Sequence, residues 1–131
     1  MKKLSDKIRN LDKALKSLEV AVATPPIEDR DYGGIIQAFV SVYELTWRTL
    51  KLVLEVNGIQ VPFPRLVFEE AFKANLLAGN TEWKEMMEDR NLSMHTYERD
   101  LAVNLCAKIK TRYLPVMKTS FVKIRDATKV P

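Results

Sequence analysis

Leu4, Ile8, Leu11, Leu15, Leu18 and Val22 recur at alternating steps of four and three residues, and no other pattern in the chain constrains its fold as strongly. That period places all six on one stripe of an α-helix, which must be covered by a neighbouring element. Thr24-Pro25-Pro26 ends this first helix. Asp29 or Asp31 then caps a second, whose stripe runs through Ile36, Phe39, Tyr43, Trp47, Leu50 and Leu54 to a close at Asn57-Gly58, where glycine supplies the left-handed residue favoured at a helix end.

Pro62 and Pro64 mark a linker before a shorter helix built on Leu66, Phe68, Ala71, Phe72 and Leu76, ending near Gly79-Asn80. Asn80 or Thr81 caps a fourth helix, in which Trp83, Met87 and Arg90 share a side and turn the arginine inward or into a cleft. Asn91 or Ser93 caps a last long helix with Glu98 and Asp100 in or near its first turn and Leu101, Leu105 and Ile109 as core. Pro115 kinks or breaks that helix, because proline lacks the amide donor and crowds the preceding turn. There is no strand alternation and no repeat. The expectation is an all-α, up-and-down antiparallel bundle of about four main helices plus a short one, with the second helix central and residues 1–131 forming one domain.

Several function classes drop out. Cys106 is the only cysteine and His95 the only histidine, so one subunit cannot assemble a thiolate- or imidazole-rich metal site; neither a metal nor a cofactor is expected, with a carboxylate-held magnesium ion as the open alternative. Cys106, set among Leu105, Ala107 and Ile109, reads as a small buried hydrophobe. Gly33-Gly34 is not part of a G-x-G-x-x-G or P-loop pattern and reads as relief of crowding at the start of the second helix. No Gly-Ser pair occurs, so the Gly-Ser-plus-aspartate signature of a nucleotidyltransferase is missing. No apolar run approaches the ~20 residues of a membrane span. The charged start Met1-Lys2-Lys3-Leu4-Ser5-Asp6-Lys7 lacks the pattern of a signal peptide, which makes the cytoplasm the expected location. The net charge of +4 is concentrated: from Leu101 onward, seven cations face Asp126 alone. That run reads either as a phosphate-facing surface or as a solvated helix face with a basic tail.

One segment gathers reactive groups. Arg90-Asn91-Leu92-Ser93-Met94-His95-Thr96-Tyr97 places a fixed cation, an amide, the sole imidazole and a phenol within eight residues. On an unbroken helix Arg90 and His95 stand about 140° apart, whereas a break at Asn91 to Ser93 can swing them together. Guanidinium offers a planar fork to phosphate oxygens, and imidazole exchanges a proton near neutral pH. RNA cleavage needs both: a base for the ribose 2′-hydroxyl and a cation for the charge gathering on phosphorus. Asn91 can orient either by hydrogen bonding. The bland alternative is that a lone histidine after a helix end is structural and Tyr97 packs with a wet hydroxyl.

The arrangement Arg90-Asn91-x-x-x-His95-x-Tyr97 resembles the R-x4-H-x-Y motif of HEPN toxins, in the HepT-like branch once called nucleotidyltransferase substrate-binding proteins. Ile36 to Phe39, Tyr43 to Lys51, Phe68 to Phe72, Glu82-Trp83 through Asn91, and Tyr113-Leu114-Pro115 fall in the family's order, so the likeness spans roughly residues 4 to 125. The resemblance implies a homodimer with two motifs lining a shared cleft and a metal-independent endoribonuclease with Arg90 and His95 catalytic and Asn91 assisting. It also implies a separately encoded minimal nucleotidyltransferase antitoxin that adenylylates Tyr97. Added phosphodiester charge beside Arg90 and His95 would then block RNA. One departure stands out: relatives usually carry glutamate where this chain has Val40. Two other readings compete with the toxin, a non-enzymatic nucleotide- or substrate-binding subunit and a purely structural helical oligomer.

Overall fold

The computed structural model describes residues 2–93 and 98–128. All its regular structure is helical: α1 (Lys2–Ala23), α2 (Asp29–Val56), α3 (Pro64–Lys73), α4 (Asn80–Ser93), α5 (Arg99–Lys108), a π turn (Ile109–Tyr113) and α6 (Leu114–Thr128). The last three join end to end as one rod. Short loops fold α1, α2, α4 and the rod against one another as the antiparallel bundle the periodicity predicts, with α3 as the short extra helix.

α2 is the centre. It touches α1, α3, α4, α5 and α6, and buries Ile35, Phe39, Val42, Tyr43, Thr46, Thr49, Leu50, Leu52, Val53 and Leu54. The two threonines return their hydroxyls to the carbonyls of Val42 and Leu45 at 2.7 Å, so neither hydroxyl is left unpaired in the core. Around α2, Leu11, Leu15, Leu18 and Val22 close one side. Phe39 stacks on Tyr113 at 5.6 Å, and Phe68 on Trp83 at 5.1 Å.

Several boundaries differ from the sequence reading. The residue capping α2 is Glu28; Asp31 acts from inside the first turn, its carboxylate accepting the Glu28 and Ile27 amides at 2.9 and 3.1 Å. α3 stops at Lys73, because Asn75 adopts φ +57° and the Leu76 amide turns back to the Ala71 carbonyl at 2.9 Å. Leu76 is buried, but from a loop. α4 begins at Asn80 and runs through Ser93, so Asn91 and Ser93 are its last turn and not the cap of the next helix; that position belongs to Glu98. Pro115 neither breaks nor stops the rod. Proline gives no amide to the carbonyl of Thr111 and crowds it, and the helix widens just before it, the Leu114 amide reaching the Ile109 carbonyl five residues back. Finally, Gly33 and Gly34 lie within α2, and a Cβ at either would meet nothing within 4 Å. They relieve no crowding in this chain.

A candidate phosphodiester site at the end of α4

α4 is fixed at its root by an apolar plug. Trp83 and Met86 are buried, and the Trp83 indole N–H donates to Ser120 Oγ at 3.1 Å. Ser120 Oγ also accepts the Ala78 amide and donates to the Ala78 carbonyl, each at 3.1 Å, which pins the loop before α4 to α6. Gly79 completes this turn. Its φ is +79°, and a Cβ there would come within 2.7 Å of Val116 Cγ1.

Arg90 lies one turn beyond Met86, and its side chain is 29% exposed, placing it at the lip of the bundle as its spacing from Trp83 and Met87 predicts. Its Nε donates to Glu44 Oε1 at 2.7 Å. Glu44, 20% exposed, is held from its other oxygen by Trp47 Nε1 at 2.8 Å, with Arg48 at 3.9 Å. A guanidinium held through Nε keeps both terminal nitrogens on its outer edge, the fork that grips two oxygens of a phosphate. Among the described residues Glu44 is the carboxylate at ion-pair distance from Arg90. Asn91 follows on the exposed side of the last turn, and Ser93 Oγ donates to the Arg90 carbonyl at 2.7 Å. His95 and Tyr97 lie outside the described residues, and with them the expected convergence of His95 on Arg90.

The segment resumes at Glu98. Arg99 anchors it: Nη1 donates to Asp29 at 3.0 Å, Nη2 to the Ile27 carbonyl at 3.1 Å, and the guanidinium lies 5.6 Å from the Tyr32 ring centre. Glu44 and Asp29 are fifteen residues apart, on the same side of α2, with Gly33, Ile36 and Val40 between them. The two arginines therefore tie the end of α4 and the start of α5 to one stripe of α2. Beside the Arg99 end is a recess of about 250 Å³ walled by Tyr32, Gly33, Ile36 and Ala102.

Val40 stands one turn before Glu44 and packs, half-buried, against the core. The carboxylate absent at position 40 is thus not the one that holds Arg90. The acids that serve the motif were missed as site residues in the sequence; the available signal was Glu44, a carboxylate within the apolar stripe Tyr43 to Leu50.

Part of the basic run is paired with acids. Lys108 pairs with Asp89 at 2.8 Å, Arg112 with Glu85 at 2.7 Å and Lys118 with Glu19 at 3.4 Å, while Lys123 reaches Asn75. Three of its cations are thus tied to acids on α1 and α4. Burial raises the Cys106 thiol to about 11 and is the main reason the Tyr43 phenol rises to about 12. Among the described residues, no cluster of acids, histidine or cysteine could hold a metal ion, and no helix is long and apolar enough to cross a membrane.

Comparison with known proteins agrees with this architecture. Residues 6–125 match the family described as nucleotidyltransferase substrate binding protein like. A Haemophilus influenzae protein named probable ribonuclease HepT is 28% identical, over 76% of this chain and 79% of its own. A Haemophilus influenzae structure described as the substrate binding domain of a nucleotidyltransferase superposes with TM-score 0.78 at 25% identity, covering 90% of this chain and 98% of its own. A Shewanella oneidensis HEPN toxin, tri-AMPylated and in complex with an MNT antitoxin, superposes with TM-score 0.78 at 15% identity over 94% and 96% of the two chains, a likeness of fold. The chain belongs to the nucleotidyltransferase substrate binding protein-like family, as a HepT-like member of the HEPN proteins.

Proposed function

We propose that this chain is the toxin of a toxin–antitoxin pair, an endoribonuclease that needs no metal ion and is silenced when a separately encoded nucleotidyltransferase adenylylates Tyr97. The observation that carries the reading is Arg90, half-buried and held through Nε by Glu44 at the start of the segment that contains His95 and Tyr97. The ribonuclease name of a relative and the antitoxin-bound state of a structural neighbour support it.

In this reading neutral His95 removes the proton of a ribose 2′-hydroxyl. The resulting oxygen attacks the adjacent phosphorus, the bond to the 5′-oxygen breaks, and that oxygen leaves with a proton from solvent. Arg90 stabilises the negative charge on the non-bridging oxygens, and Asn91 orients the phosphate. Two copies form a homodimer whose motifs face one cleft.

The test is RNA incubated with purified protein and a chelator. Cleavage should survive the chelator and fall by about 10²- to 10⁴-fold in His95→Ala and Arg90→Ala. Intact RNA after long incubation with the parent protein rejects the reading. With ATP and the partner enzyme, adenylate should appear on the parent chain and not on Tyr97→Phe, and the modified protein should stop cutting. The family description favours a second reading, a subunit that binds nucleotide or substrate for the partner enzyme without chemistry of its own. Nucleotide binding by calorimetry with neither cleavage nor adenylylation would establish that one instead.

A further inference from the structure

α4 has a structural problem at the point where the proposed site needs it most rigid. Its contribution to the apolar core is Trp83, Met86 and, half-buried, Met87. Among the described residues of α4, none beyond Met87 belongs to that core, and Leu92 is 62% exposed. The turn carrying Arg90 must therefore be placed by polar contacts, since helix ends without packing fray.

Those contacts come from two sides. Arg90 reaches α2 through Glu44, as described. Its neighbour Asp89, about 100° around the helix, points to the rod and is only 15% exposed. The same oxygen, Asp89 Oδ2, accepts a hydrogen bond from the Tyr113 hydroxyl and forms an ion pair with Lys108 Nζ at 2.8 Å. Glu85, one turn back, receives both terminal nitrogens of Arg112 at 2.7 and 2.8 Å.

Lys108 and Tyr113 are five residues apart. On a regular α-helix they would diverge by about 140° and could not meet at one oxygen. They meet because the π turn Ile109–Tyr113 lies between them, with its bond spanning five residues. The widened turn just before Pro115 thus bears on α4 directly. Phe39 of α2 stacks on the Tyr113 ring and fixes its plane.

We infer that Asp89, Lys108 and Tyr113 form a positioning clamp, set by the π turn before Pro115, that holds the Arg90 guanidinium where a phosphate can meet it. They are positioning residues that act through the backbone of α4. The inference deepens the ribonuclease reading and rests on it for its catalytic consequence.

Tyr113→Phe removes one hydroxyl and keeps the stacked ring, and Asp89→Asn keeps shape while removing charge. Two measurements decide. In nuclear magnetic resonance spectra, the Arg90 Nε–Hε signal, assigned by its loss in Arg90→Lys, should exchange with solvent about tenfold faster in both variants, while the Trp83 indole signal stays unchanged as a control on the root of α4. In RNA cleavage, kcat should fall about tenfold with KM within threefold, and Lys108→Arg, which retains the cation, should stay near the parent. The clamp is overturned if the Arg90 signal is unaltered in both variants, or if it loosens while kcat holds. A parent protein that leaves RNA intact instead sinks the ribonuclease reading, and the Arg90 signal still decides the clamp.

Discussion

Ser120 satisfies three groups with one hydroxyl: the Trp83 indole and the amide and carbonyl of Ala78. Removing it strands the buried Trp83 indole N–H and leaves the half-buried Ala78 amide and carbonyl without their side-chain partner, and an orphaned buried group costs about 1–3 kcal/mol. Ser120→Ala should therefore destabilise by about 3 kcal/mol in urea titration, whereas Ser120→Thr is the poorer repair because it adds a methyl at a fully packed position. Gly79 is the companion case. Its φ is positive, and Val116 Cγ1 lies only 2.7 Å from where an alanine Cβ would sit, so Gly79→Ala combines backbone strain with collision. A loss of more than about 1 kcal/mol is expected, and an unchanged unfolding midpoint would contradict the local geometry. At Arg90 the decisive partner is Glu44: Glu44→Ala leaves a half-buried guanidinium without its acid, so thermal stability and RNA cleavage should fall together, while Glu44→Asp, too short to hold both the 2.7 Å contact to Arg90 and the 2.8 Å contact to Trp47, recovers only part.

At the scale of helices, apolar spacing made α1, α2 and the bundle legible, because burial repeats every three or four residues and leaves a trace in the sequence. Ends were less legible. α3 ends at Lys73 through a left-handed asparagine, Asn75, although Leu76 continues the apolar pattern; burial from a loop looks the same in one dimension as burial from a helix. The rod hides its π turn for a similar reason: Pro115 marks a defect in the sequence, but the partner that the widened turn lets Tyr113 and Lys108 share, Asp89, is on another helix. Gly33 and Gly34 offer a test of α2 itself. They occupy helical positions with open space around them, so alanine at each should raise stability by about 1 kcal/mol through propensity alone. A drop in stability would mean the first turns of α2 are more constrained than their surroundings indicate.

For the whole molecule, ionisation sets limits on both sides. Asp31 is held below its ordinary 3.8 by the backbone amides of Glu28 and Ile27, and Glu85 below its ordinary 4.5 by the Arg112 guanidinium. Carboxyls lowered by folding add stability above their ordinary values and lose it as pH falls toward the folded ones. Tyr43, raised to about 12 chiefly by burial, and Tyr113, raised by burial and by Asp89, act in the opposite sense: above their ordinary 10.0 the unfolded chain releases protons that the folded one keeps. The unfolding temperature should accordingly be flat from about pH 5 to 9 and decline on either side, with Tyr113→Phe lessening the alkaline decline. The candidate site was legible in its reactive residues and illegible in its supports. Arg90 and Asn91 announce themselves by chemical type, whereas Glu44, Asp89 and Arg99 matter through partners that only folding brings near. Cys106 adds one more consequence of the fold. It is the sole thiol, buried where α5 meets the start of α2, and protonated at neutral pH with Sγ 3.6 Å from the Tyr32 carbonyl. Because the thiol is almost covered, at 5% exposure, its labelling by a maleimide should be slow and should quicken with any loosening of α5 against α2, a readout that needs no engineered residue.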